Sequence, residues 1–130
     1  MTNFDIVVTG AAGFIGSHLS NELKNSGLKI LCLDNLRPVY SMKYQAQRLN
    51  YFGLKQASNV TFLEVDLASC QLAELRRLVS GSKFVLHLAA SPGVRRSLNH
   101  PTEYSLNNIV GFMNILEAVN SELIPYFLFA

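Results

Sequence analysis

Apolar residues in this chain gather in five short runs: Phe4 to Thr9, Lys29 to Asp34, Val60 to Val65, Lys83 to Leu88 and Pro125 to Ala130. Runs of this length suit strands and are too short for helices. The segments between them carry a different period. Ile15, Leu19 and Leu23 fall at i, i+4 and i+8, with Gly27 just past the last apolar turn, which predicts a helix and its stop. Leu72, Leu75 and Val79, closed by Gly81, predict another. Ile109, Phe112, Leu116 and Val119 predict a third, following Pro101, a residue that suits a first turn. Tyr40 to Leu54 is less regular but rich in helix formers. Strands alternating with helices read as βαβ units. Right-handed crossovers then lay them out as a doubly wound α/β fold, a parallel sheet with helices on both faces. A single domain is expected, with no internal repeat, low-complexity tract or interdomain linker in its 130 residues.

Composition agrees with a sheet covered on both sides. Apolar residues make up 49% and charged residues 15%, against roughly 25% charged in ordinary domains, so an unusual share of the chain is destined for the interior. Net charge is +2, and the basic residues cluster no further than the pairs Arg76-Arg77 and Arg95-Arg96. That field is too weak to hold a polyanion, and nucleic acid is not an expected partner. Met1 to Asp5 lack the basic region and apolar core of a signal peptide, and no apolar stretch approaches about 18 residues, so no membrane association and a cytoplasmic location are expected. Cys32 and Cys70 fit neither a metal spacing nor a redox pair; Cys32 reads as a small core residue, and no metal site is expected.

Gly10-Ala11-Ala12-Gly13-Phe14-Ile15-Gly16 leaves the first strand and enters the first helix. In such a turn a pyrophosphate meets free backbone N–H groups and the positive end of the helix dipole. Gly10 permits the tight turn, Gly13 clears the backbone for the phosphates, and Gly16 lets the helix lie close to the strand. Asp34, at the end of the second strand, stands near the separation at which a carboxylate accepts hydrogen bonds from an adenosine ribose. A carboxylate there repels a 2′-phosphate, which favours NAD over NADP. The plainer alternative is a solvated strand-end aspartate, and nearby Arg37 offers a phosphate partner instead. Asp66, followed by Leu67, reads equally as an adenine contact or as a cap. Leu88, Ala89 and Ala90 end the fourth strand with mostly small side chains that would admit a nicotinamide-side ribose, or simply a closely packed helix. Asn108 is placed to hydrogen-bond near the cofactor across the same crevice, with Gly111 one turn later admitting a close helix contact.

The run Thr9 to Leu19 resembles the extended short-chain dehydrogenase/reductase superfamily, in its NAD-dependent epimerase/dehydratase branch. Four further segments match in order: Asp34-Asn35-Leu36, Asp66-Leu67, His87-Leu88-Ala89-Ala90 and Asn108-Ile109-Val110-Gly111. The segment Ala90 to Leu98, with Pro101 and Tyr104, is similar to the UDP-glucuronate 4-epimerase group, with Pro92 where a small residue is usual. The resemblance implies a Rossmann sheet of strand order 3-2-1-4-5 and NAD as cofactor. It places Gly10, Gly13, Phe14, Ile15, Gly16, Asp34, Asn35, Asp66, Leu67, Leu88, Ala89, Ala90 and Asn108 on that cofactor, and Ser91 and Arg95 on a UDP-sugar. The implied reaction is transient hydride transfer at C4 of the sugar, in a homodimer when complete. The Ser or Thr, Tyr and Lys of such chemistry fall beyond Ala130 in that branch. Residues 1–130 are therefore expected to form an NAD-binding domain cut after its fifth strand, without a substrate domain and inactive alone. A non-catalytic nucleotide-binding module, a 4,6-dehydratase and a decarboxylase remain open.

Three features carry competing readings. Tyr51-Phe52-Gly53-Leu54-Lys55 spells Y-x-x-x-K but precedes the third strand, and reads as the end of a surface helix with a glycine exit. His87, in a buried strand without a second ligand-type residue at metal spacing, reads as a core histidine bonded to backbone. Arg95 suits a bidentate grip on a sugar carboxylate, although adjacent arginines on a loop are ordinarily solvated.

Overall fold

The computed structural model describes residues 3–38 and 42–130. Met1 and the start of the second predicted helical segment at Tyr40 lie outside the described residues. All five runs form strands, trimmed by a residue or two: β1 (Ile6–Thr9), β2 (Ile30–Asp34), β3 (Val60–Glu64), β4 (Phe84–His87) and β5 (Tyr126–Phe129). They pair in parallel in the order β3-β2-β1-β4-β5. β1 lies at the centre and every one of its residues is buried. Its period of two splits the core between the faces of the sheet. Val7 points with Leu31, Leu33 and Val85 towards α3 (Leu72–Val79) and α6 (Gly111–Ser121), meeting Leu75, Leu78, Ile115 and Val119. Ile6 and Val8 point the other way with Ile30 and Cys32, towards α1 (Phe14–Lys24). Ala12, Leu49 and Leu54 make a smaller cluster beneath α2 (Met42–Tyr51).

Two helices present faces other than those their apolar periods predict. In α1 the buried residues are Gly16, Ser17 and Ser20, while Ile15 is 65% exposed. Close approach is the cause. A Cβ on Gly16 would stand 2.0 Å from the Gly10 carbonyl oxygen, so only small side chains fit beneath this helix and the apolar residues are displaced to its flanks.

The last crossover is α5 (Pro101–Ser105), a π-helical turn (Leu106–Val110) and α6, running without a break. Pro101 begins α5 as its sequence position predicts. The wide turn carries an extra residue in its backbone repeat, so the predicted stripe slips out of register. Ile109 is exposed, and the buried positions are Gly111, Ile115, Ala118 and Val119. The arginine pair expected on a loop lies instead on a short helix, α4 (Val94–Asn99).

Candidate functional site

The strand order reverses between β1 and β4, and connections leave these neighbouring strands towards opposite faces of the sheet. A crevice opens at such a point, beyond the carboxyl ends of the strands. Here it is a cleft of about 520 Å³, within the roughly 300–1,000 Å³ usual for ligand sites.

The glycine turn forms its floor. Gly10 has φ +70°, and a Cβ there would stand 2.7 Å from the Leu88 carbonyl carbon and from Ala89 N, so the turn rests directly on the exit of β4. Helix α1 begins at Phe14, and its first bond to a preceding carbonyl is Ser17 N–H to Gly13 O. Among the described residues no acceptor takes the N–H groups of Phe14, Ile15 or Gly16. They are the unpaired donors of a helix start, and all three residues line the cleft. No acidic residue occupies that first turn.

Asp34 stands beside the turn and is buried, which excludes the solvated alternative. Its Oδ2 accepts the Ala12 N–H at 2.9 Å and its Oδ1 the Leu36 N–H at 2.8 Å. The second bond accompanies an unusual left-handed backbone at Leu36, φ +53°. Burial pushes the Asp34 carboxyl above its usual range, opposed by these N–H bonds and by the charge of Arg48. Arg48 itself, projecting from α2, donates Nη1–H to the Ala12 carbonyl at 3.2 Å.

Across the cleft, Asp66 organises a turn rather than capping α3. Its Oδ1 accepts the Ala68 N–H and its backbone oxygen accepts from Ser69 and Cys70, while α3 begins later, at Leu72. Its Oδ2 lies 2.9 Å from Arg37 Nη2.

Thr9, at the end of β1, secures the wall formed by the exit of β4. Its Oγ1 accepts the N–H groups of Leu88 and Ala89, both at 3.2 Å, and meets His87 Nδ1 at 2.7 Å. His87 is therefore a core histidine, but its partner is a side chain rather than the expected backbone. Next along the chain, Ser91 is gripped from the π-turn. Its N–H donates to Asn108 Oδ1 at 2.7 Å, its carbonyl accepts from Asn108 Nδ2 at 3.0 Å, and its Oγ accepts from Asn107 Nδ2 at 2.8 Å.

The cleft thus gathers Gly10, Gly13, Phe14, Ile15 and Gly16 with Asp34 and Asn35, Asp66 and Leu67, and Leu88 to Ser91. Two of the expected residues do not line it. Asn108 acts on the wall through Ser91, and Arg95 is exposed on α4 outside the cleft. The sequence reading missed Thr9, Arg48 and Asn107, each polar and each bonded to the cleft's backbone or its wall. Adjacency to Asn108 is a signal for Asn107; nothing in the local pattern marks Arg48. The Tyr51 and Lys55 pair does not line the cleft: Tyr51 ends α2 exposed, and Lys55 lies over the Phe62 ring. Among the described residues no three His, Cys, Asp or Glu side chains converge as for a metal ion, and no helix is long and apolar enough to cross a membrane.

Known proteins share both this sequence and this architecture. The chain is 38% identical to UDP-glucuronate 4-epimerase 3 of Arabidopsis thaliana over 118 residues, which cover 91% of this chain and 27% of that relative. It is 37% identical to UDP-glucose 4-epimerase of Caenorhabditis elegans, covering 96% of this chain and 37% of the relative. Among solved structures, a variant of UDP-glucuronic acid 4-epimerase from Bacillus cereus, in complex with UDP-4-deoxy-4-fluoro-glucuronic acid and NAD, superposes with a TM-score of 0.81 at 32% identity. That likeness covers 95% of this chain and 38% of the other. The chain therefore spans about a quarter to two fifths of the length of these relatives. Glycine turn, strand order and cleft lie within residues 6–130, the span matched by one family model, and the chain belongs to the NAD dependent epimerase/dehydratase family.

Proposed function

We propose that the cleft holds NAD and that the complete protein is a nucleotide-sugar epimerase like UDP-glucuronate 4-epimerase. The observation that carries this reading is the convergence on one cleft of three unpaired N–H groups, at Phe14, Ile15 and Gly16, with the buried carboxylate of Asp34. Helix-start donors suit a pyrophosphate, and each Asp34 oxygen, already holding one N–H, keeps a lone pair for a ribose hydroxyl. The group therefore fits the residues present. NAD, when bound, would supply a reversible hydride acceptor for C4 of the sugar.

The chain's own residues bind and orient. Gly10, Gly13 and Gly16 bring the backbone close, Asn35 flanks Asp34, Asp66 and Leu67 face the adenine, and Leu88, Ala89 and Ala90 leave room for the nicotinamide side. Ser91 faces the sugar, with Asn108 positioning it, and Arg95, beyond the cleft, receives a uronate carboxylate. A Tyr and Lys four residues apart occur in this chain only at Tyr51 and Lys55, which lie away from the cleft. The 130-residue chain alone accordingly has no epimerase activity. Exposed Leu106, Ile109, Val110 and Met113 along the π-turn and the start of α6 support a homodimer of the complete protein, and a cytoplasmic location belongs to the same proposal.

The test is product analysis of the complete protein with UDP-glucuronate and catalytic NAD. Interconversion with the C4 epimer, without net NADH, is expected. Loss of water or of CO2 from the sugar would instead identify a dehydratase or a decarboxylase.

A further inference from the structure

Three charged side chains meet where the cleft is bounded by the ends of β2 and β3: Asp34, Arg37 and Asp66. Arg37 follows Asp34 by three residues, and its guanidinium is 2.9 Å from Asp66 Oδ2. The two ends of this ion pair differ in freedom. The Asp66 side chain is 18% exposed and is fixed by the Ala68 N–H on its other oxygen. The Arg37 side chain is 58% exposed. An ion pair so open to solvent adds little to stability, so its consequence lies in what it does to the charges around the cleft.

A dinucleotide with a free 2′-hydroxyl brings no charge to a ribose pocket, whereas a 2′-phosphate brings about two negative charges. An arginine near the ribose-binding carboxylate is the usual means of accommodating that phosphate, and here such an arginine is already committed. We propose that Asp66 is a specificity-determining residue which, by pairing with Arg37, withholds its guanidinium from a 2′-phosphate. Discrimination against NADP then comes from two carboxylates: Asp34 repels the phosphate directly, and Asp66 disarms the cation that would welcome it. Arg48, the other arginine lining the cleft, has its Nη1 on the Ala12 carbonyl and its charge beside Asp34, and the R37A arm of the test separates its contribution from that of Arg37. The proposal rests on the reading of the cleft as an NAD site.

Asp66→Asn is the informative substitution. The amide oxygen still accepts the Ala68 N–H, so the turn is kept, while Arg37 loses its charged partner. Calorimetric titration of NAD and of NADP into the wild-type chain, D66N, and D66N combined with R37A separates the contributions. D66N is expected to raise the affinity for NADP relative to NAD severalfold, up to about fivefold, the scale of one largely exposed ion pair. The gain disappears when Arg37 is also removed. Equal weakening of both cofactors in D66N would make Asp66 an adenine contact only and overturn the proposal, as would a gain that survives R37A. Failure of the wild type to bind either cofactor would refute the NAD reading itself, and the proposal with it.

Discussion

Thr9 Oγ1 is the hydrogen-bond partner of the buried His87 ring. It also accepts the N–H groups of Leu88 and Ala89, the former shared with the Thr9 carbonyl, an arrangement that favours donation of its own proton to His87 Nδ1 and a hydrogen on Nε2. The ring is buried against Phe112 and Phe127, and burial pushes its pKa down from 6.5 to about 4. The unfolded chain therefore takes up a proton as pH falls through 6.5, whereas the folded chain does not until about pH 4. The stability that His87 contributes is complete above pH 6.5 and drains away over that interval, by about 3 kcal/mol. Asp34 works in the opposite sense, since its raised pKa makes its contribution decline as pH rises through the folded value. Comparison with His87→Gln, whose amide oxygen can still accept the Thr9 proton, isolates the histidine. In chemical denaturation across pH 7 to 4, the wild type should lose more stability than the variant on acidification. Parallel curves would mean that His87 titrates normally in the fold.

At the scale of elements, the π-turn links the last crossover to the cleft. Side chains of successive residues in a regular helix diverge, yet Asn107 and Asn108 both reach Ser91, from within the widened turn. The turn that disrupts the apolar stripe at Ile109 is thus the one that brings two amides to bear on the end of β4. Asn108→Ala would leave the Ser91 N–H and carbonyl without partners, a local cost of about 1–3 kcal/mol. Amide exchange at Ser91 should then accelerate roughly tenfold or more, while exchange in the middle of α6, at Ile115 and Ala118, stays unchanged. Unaltered protection at Ser91 would show that the segment is held by something other than this clamp.

Over the whole molecule, the sheet and most of the cleft were legible from sequence because both depend on local pattern. Five short apolar runs determine the strands. A glycine turn followed by a strand-end aspartate marks one side of the crevice, since Gly10 and Asp34 meet through adjacent parallel strands. What stayed hidden depends on proximity between distant segments. The outward turn of Ile15 follows from how near α1 lies to the Gly10 carbonyl, which no helical period encodes. The bonds of Thr9 to Leu88 and Ala89, of Arg48 to Ala12 and of Asn107 to Ser91 span long stretches of chain, and their residue types are common on any surface.

The proposed selectivity of the cleft for NAD rests on Asp34 as the residue that reads the ribose. Its most direct test is equilibrium titration of NAD and NADP into the purified chain and into Asp34→Ala. The wild type should bind NAD more tightly than NADP by roughly tenfold or more, and Asp34→Ala should narrow that gap chiefly by weakening NAD. NADP binding as well as or better than NAD in the wild type, or a gap unmoved by Asp34→Ala, would contradict it.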